Sequence, residues 1–203
     1  MRTIQYTVYQ YNELSKQAQQ VALSSLREEI AATRIEADSY YYRDTLENIE
    51  QIFRIKVYDW SVGNYKPYFR FHFVGIDEDM KNEPRLLLRY LNNYILPCID
   101  NKKRYYSKTA RVSRKSRILC YKYYDCCLTG CWTDSAVDNA LDNINESAKN
   151  KLSAREFIDN LLSNFFNQWQ KDYEYNETDE CIEEEIDSAG YDFYESGKPC
   201  PTN

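Results

Sequence analysis

Residues 3–11, TIQYTVYQY, alternate polar and apolar positions and are rich in β-branched and aromatic side chains. That period of two predicts a strand. From Leu14 the period changes. Leu14, Ala18, Val21, Ala22, Leu26 and Ile30 recur at helical spacing and predict a helix to about Thr33. Ser15 is its expected N-cap, with Ala18 standing where a full capping box carries Glu. Tyr42, Leu46, Ile49 and Phe53 share one face of a second helix, from Asp38 to about Phe53. IKVYDW (55–60) and YFRFHFV (68–74) alternate on either side of the turn formers of Gly63–Pro67, which predicts a hairpin. Met80 to Leu96 reads as a helix that Pro97 ends.

Residues 98–132 are less regular. RILCYKYYDCCL (117–128) has the composition of a strand, and the basic stretch before it that of a loop or an exposed helix. TDSAVDNALDNI (133–144) restarts a helix with Thr133 or Asp134 as its cap. Ser153 caps an amphipathic helix whose stripe is Phe157, Leu161, Leu162, Phe165, Trp169 and Tyr173. Near the end, Thr178 is placed to cap a further helix, with Asp179 and Glu180 in the first turn, where acids complement the positive helix terminus. Ile182, Ile186 and Ala189 make its apolar edge beside Cys181, Gly190 takes the C′ position, and YDFY (191–194) alternates as a short strand. The sum is an α+β chain. One domain over 1–203 is expected, with several amphipathic helices on a small, mainly antiparallel sheet. Residues 98–132 form a basic, Cys-rich insertion in it, and 176–197 an acidic helix plus short strand.

Composition supports a folded core. The 203 residues are 43% hydrophobic and 15% aromatic, with 20 Tyr, which disordered chains lack. Five Gly and five Pro are too few for a loop-rich sandwich, and neither a repeat nor a Gly/Ser/Pro linker divides the chain. No apolar run approaches the roughly 20 residues of a membrane span, and the first residues lack an apolar signal core. A cytoplasmic protein of a bacterial host is expected, with no membrane partner. The seven cysteines are an odd number and read as reduced thiols.

The net charge of −6 disfavours a general nucleic-acid coat, but the charges are unevenly placed. Between Lys102 and Arg117, eight of 16 residues are basic and none is acidic: Lys102, Lys103, Arg104, Lys108, Arg111, Arg114, Lys115 and Arg117. With tyrosines interleaved, this stretch suits a single nucleic-acid strand. It equally suits pairing with the acidic end of the same or a neighbouring chain, or a disordered loop. From Lys171 to Lys198 there are 11 acids between the two terminal lysines. Asp179, Glu180, Glu183, Glu184 and Asp187 lie on the helix predicted there. They form either a solvated face or an array that imitates phosphates and occupies a basic groove on a partner, with nearby aromatics as anchors.

Catalytic chemistry finds little support. His72, the sole histidine, lies on the polar side of its strand with Arg70 and Val74, opposite Phe69, Phe71 and Phe73, and no nucleophile of recognisable context accompanies it. Asp77, Glu78 and Asp79 read as a turn into a helix rather than as metal ligands. Neither a phosphate-cradling glycine loop nor a GxSxG elbow occurs. Cys120, Cys126, Cys127 and Cys131 lie within 12 residues, with Cys98 as a further donor, but they contain no CxxC pair. They are weak zinc candidates, and small buried thiols are the competing reading. The expectation is a non-enzymatic protein without cofactor.

The two ends of the chain carry a resemblance. YTVYQYNELSKQAQQVAL and DYEYNETDECIEEEIDSAGYDFYESGK are similar to a family of small phage, prophage and plasmid proteins. Members open with a strand and an LSxxAxxxA helix and close with a YEYxxSDExxxExI…YxF element. Leu14, Ser15, Ala18 and Ala22 match the first motif. Tyr173, Glu174, Tyr175, Asp179, Glu180, Glu184, Ile186, Tyr191, Phe193 and Gly197 match the second, with Thr178 in place of Ser. The matched segments cover about a quarter of the chain. The resemblance implies a mobile-element accessory protein and supplies no catalytic residue. The expected function is stoichiometric inhibition of a host defence nuclease complex, in the manner of anti-CRISPR proteins. The expected partner is a host protein or nucleoprotein. The alternatives are a nucleic-acid-binding accessory protein using 102–122 and, less favoured, a small metal-dependent enzyme.

Overall fold

The structure is a computed structural model and describes residues 7–95, 128, 129, 131–143, 147 and 150–201. The basic stretch 102–117, Cys98, Cys120, Cys126, Cys127 and almost all of the strand predicted over 117–128 lie outside the described residues. Within them the chain is α+β, as expected, with helices and a two-stranded antiparallel sheet. The elements are α1 (Lys16–Ile52), β1 (Ile55–Ser61), β2 (Tyr68–Phe73), α2 (Glu78–Asn82), α3 (Leu87–Tyr90), α4 (Ser135–Asp142), α5 (Ala154–Asn176) and α6 (Asp179–Ala189). The chain gathers into two compact units, Met1–Ser39 with Lys171–Asn203, and Tyr40–Gln170. Each has its own apolar core.

The two helices predicted over 14–33 and 38–53 are one continuous helix, α1. Their apolar stripes are out of phase: Ile30 to Tyr42 is twelve residues, about three and a third turns. No residue between Ala31 and Tyr42 is buried. The polar interval nonetheless contains neither Gly nor Pro, so nothing in the backbone stops the helix. The opposite error occurs at 80–96. Pro84, which lacks an N–H, divides the predicted helix into α2, a 3-10 turn over Pro84–Leu86 and α3, followed by a π-helical turn over Leu91–Ile95.

In the unit Tyr40–Gln170 the hairpin forms where it is expected. Ile55 pairs with Phe73, and Ser61 with Tyr68. Ile55, Val57 and Phe73 are buried, and half-buried Trp60, Phe69 and Phe71 pack against the same core. α5 supplies the other wall. Trp169 stacks on Tyr42 with centroids 4.9 Å apart and planes 5° from parallel, and Phe166 stacks on Phe69 at 5.3 Å. Such ring pairs add about 0.5–1.5 kcal/mol beyond their burial. Gln170 fixes the loop of the hairpin by a reciprocal pair of bonds to the Gly63 N–H (2.9 Å) and C=O (2.6 Å). The buried Tyr90 hydroxyl donates to the Phe53 carbonyl at the end of α1 (2.6 Å), which satisfies a group that a helix terminus leaves open. Asp134, expected as a cap, instead turns its buried carboxylate to the preceding turn. It accepts from the Thr129 N–H (2.9 Å), the Thr129 hydroxyl (2.8 Å) and the Leu128 N–H (3.3 Å). Ser153 does cap α5, in a full capping box with Glu156.

The other unit is built from both ends of the chain. Tyr11, Leu14, Ala18, Ala22, Leu23, Leu26 and Ile30 are buried together with Ile182, Ile186 and Phe193. Among the described residues the strand predicted at 3–11 appears as a single bridge, in which Tyr9 and Phe193 exchange two backbone bonds of 2.9 Å. Tyr11–Glu13 is a 3-10 turn. YDFY is likewise a bridge position rather than a strand: Phe193 also pairs with Pro199 across a tight turn.

Candidate functional site

The acidic helix α6 is held on all its inner contacts. The Thr178 hydroxyl accepts from the Cys181 N–H (3.3 Å) and donates to the Tyr175 carbonyl (2.7 Å), joining the end of α5 to the start of α6. Gly190 closes the helix in the left-handed region, at φ 66°. Cys181, Ile182 and Ile186 are buried, Glu185 is half-buried, and the other positions of the helix are exposed. The buried Cys181 thiol donates to Asn176 Oδ1 (3.6 Å), and burial pushes its pKa up.

Two arginines of α1 anchor α6. Arg27 forms an ion pair with Asp179 and donates to the Glu177 carbonyl (3.1 Å). Arg34 pairs with Glu185 (2.6 Å) and donates to Asn176 Oδ1 (3.3 Å). Asn176 is 1% exposed and donates in turn to Asp38 (2.6 Å). A buried amide bonded on both its oxygen and its nitrogen fixes the α5–α6 corner, because leaving either atom unpaired costs about 1–3 kcal/mol. Sequence reasoning missed Arg27, Arg34, Asp38 and Asn176. Arg34 falls between the two helices predicted over 14–33 and 38–53 and Asp38 at the start of the second, and an Asn before a cap is ordinary in a turn.

The five acids singled out in the sequence thus differ. Asp179 is committed to Arg27. Glu183 accepts from the Tyr11 hydroxyl (3.0 Å), and burial, reinforced by that carboxylate, pushes the phenol well above its ordinary range. Glu184 accepts from Tyr175 (2.9 Å). Glu180 and Asp187 are exposed, with no hydrogen bond or ion pair among the described residues. Each of Glu183 and Glu184 keeps acceptor capacity, since a carboxylate offers about four lone-pair sites. Glu180, Glu183, Glu184 and Asp187 stand at spacings of three and four, hence on one helix face, with neighbours about 5–6 Å apart.

The terminal motifs meet in this unit and are explained by packing. Leu14, Ala18 and Ala22 of the first motif, and Ile186 and Phe193 of the second, belong to one core. Gly197 has φ 83°, and a Cβ there would lie 2.0 Å from the Ala18 carbonyl oxygen. The glycine at 197 allows a close approach to the backbone of residue 18.

Of the other candidates, His72 lies exposed on the outer side of β2, and Glu78 and Asp79 occupy the first turn of α2. Glu78 pairs with Lys81 (2.6 Å), which lowers its pKa. Cys131 is half-buried, and its N–H donates to the Thr129 hydroxyl (3.2 Å). No group of three or more His, Cys, Asp or Glu is placed to hold a metal among the described residues. No helix among them is long and apolar enough to cross a membrane. No protein-family model, curated protein or solved structure matches the chain.

Proposed function

We propose that this is a mobile-element accessory protein that inhibits a host defence nuclease complex by stoichiometric binding, in the manner of anti-CRISPR proteins. The observation that carries the reading is the outward face of α6. Glu180, Glu183, Glu184 and Asp187 project from a helix capped at both ends and clamped by Arg27 and Arg34. Carboxylates carried on one face of an ordered helix resemble the regular charge of a nucleic-acid strand and suit a basic groove built to hold one. Because the helix is already ordered, binding incurs little further entropy loss. The resemblance of the chain ends to phage and plasmid proteins supports the genomic setting.

The test is capture of tagged protein from a host lysate, with and without nuclease digestion, followed by nuclease assays on the captured complex. One partner at 1:1 ratio, retained after digestion and inhibited at equimolar protein, is expected. Glu180→Gln with Glu184→Gln and Asp187→Asn is expected to weaken capture about tenfold or more, since charge pairs at such interfaces contribute on the order of 1.5 kcal/mol and upward. Binding of bare nucleic acid with steep salt dependence, abolished by changing Lys102, Lys103 and Arg104 to Glu, overturns the reading in favour of the basic stretch.

A further inference from the structure

The two strands of the hairpin differ at their outer edges. On β1 the Val57 N–H is taken by the Glu50 carboxylate (2.7 Å), and the register shift between Val57 and Asp59 makes Tyr58 the extra residue of a bulge. A side chain bonded to the edge and a bulge both keep a further strand away. β2 carries neither. Backbone groups along a strand point alternately to its two sides. Val74, next after β2, donates its N–H to the Arg54 carbonyl (2.7 Å), on the β1 side. The even-numbered residues of β2 therefore bond toward β1, and the N–H and C=O groups of Phe69, Phe71 and Phe73 point to the other edge. No described residue bonds to them there. Neither Pro nor Gly interrupts the strand. Such an edge offers main-chain donors and acceptors at the spacing of a strand, and the chemistry that answers it is another strand.

A charge on the inner face of the sheet narrows the choice of strand. Phe69, Phe71 and Phe73 turn their rings to that face, and Phe69 and Phe71 are only half-buried. The guanidinium of Arg155, from α5, lies over two of these rings, 6.0 Å from the centre of Phe71 and 5.7 Å from that of Phe73. Its Nε donates to Asn82 (3.3 Å). Arg155 is exposed and makes no ion pair among the described residues. Glu78, whose charge reaches it, is engaged by Lys81. Side chains of an added strand on the inner face would stand beside Phe69, Phe71 and Phe73, within reach of that guanidinium. A carboxylate there completes an Arg pair, whereas a cation meets repulsion. A second copy of β2 fits poorly, because Arg70 and His72 are its charged or titratable residues and it brings no acid.

We propose that the free edge of β2 accepts an extended segment of a partner protein as a third strand, with a carboxylate of that segment meeting Arg155. The proposal does not rest on the acidic-helix reading, because the edge, Arg155 and the variants all belong to the unit Tyr40–Gln170. The full chain is titrated against the fluorescent peptide Val-Thr-Val-Thr-Asp-Thr-Val-Thr-Val and followed by anisotropy. Saturable binding is expected, and loss of it when the peptide amides are N-methylated, since the side chains then stay and the donors go. Lysine in place of the peptide aspartate should weaken binding about tenfold or more. Arg155→Gln should remove that preference, and Arg155→Glu should reverse it. Thermal melts check that the variants fold. No saturable binding up to about 100 µM protein overturns the proposal, as does an N-methylated peptide that binds like the parent peptide. So does an unchanged preference for aspartate in Arg155→Glu. A dimer in sedimentation that the peptide dissociates would give the edge to a second copy and overturn it as well.

Discussion

At Gly197 two constraints coincide, and their sizes separate it from the other positive-φ glycines. Gly190 has φ 66° with nothing within 4 Å of an added Cβ, so Gly190→Ala involves only the left-handed strain of about 1–2 kcal/mol. Gly197 has φ 83° and a Cβ that would overlap the Ala18 carbonyl, which is backbone and has no flexible end to yield. Gly197→Ala is expected to lose about 3 kcal/mol or more, strain and overpacking together. Urea unfolding of both variants checks this, and equal losses at 190 and 197 would show that the turn shifts freely. The matched pair Ala18 and Gly197 was legible only as motif letters. Their separation in sequence conceals that one is the floor on which the other rests. Asn176 was illegible for a related reason: its partners Arg34 and Asp38 are 142 and 138 residues away.

At the scale of elements, capping chemistry is legible in the sequence except at Asp134, and helix continuity is not. Ser153, Thr178 and Gly190 were assigned from local residue types and stand where expected, because a cap is satisfied within four residues. The capping box also makes a pH prediction. The Ser153 N–H and hydroxyl hold Glu156 below the ordinary glutamate value of 4.5. A carboxyl with a depressed folded pKa stabilises the fold above its unfolded pKa and loses that contribution as pH falls through the folded one. Glu156→Gln should therefore be less stable than the parent at neutral pH, and the gap should close below pH 4.5. Denaturant midpoints from pH 7 to pH 3 check it, and a gap that stays constant would mean that the charge plays no part. By contrast, α1 was divided at a break in apolar phase and the 80–96 segment was joined across Pro84. Periodicity reports which face is buried, and only backbone chemistry reports whether a helix continues.

At the scale of the whole molecule the charges decide what encounters what. The excess of acid on α6 predicts a salt-sensitive association with the proposed basic partner. Raising ionic strength shortens the screening length from about 10 Å at 0.1 M to about 3 Å at 1 M. The association rate should fall at least about tenfold between 0.05 and 0.5 M salt, with dissociation changing much less. The Glu180→Gln, Glu184→Gln, Asp187→Asn variant has a net charge of −3, the −6 of the parent plus three, and should show a flatter dependence. Stopped-flow mixing with the captured partner measures both, and identical salt profiles would remove α6 from the encounter. The two ends of the chain also come together at this scale. Met1–Ser39 and Lys171–Asn203 form one compact unit, and the residues between form another.

What the sequence determined by itself is local: the α+β class, the hairpin with its inward phenylalanines, the caps of α5 and α6, and the outward acids of the last helix. Each follows from residue type and period within a few neighbours. What the tertiary structure decided is which distant residues share a core and which charges are already occupied. Arg27 and Arg34 take up Asp179 and Glu185, while Glu180 and Asp187 are left outward. Glu50 is engaged by Lys56 and the Val57 N–H, and Asp59 by Tyr68 and Arg70. The physical reason is the same in each case. A charge or a ring acquires its role from what lies within about 4 Å, and in α6 those neighbours come from the far end of the chain.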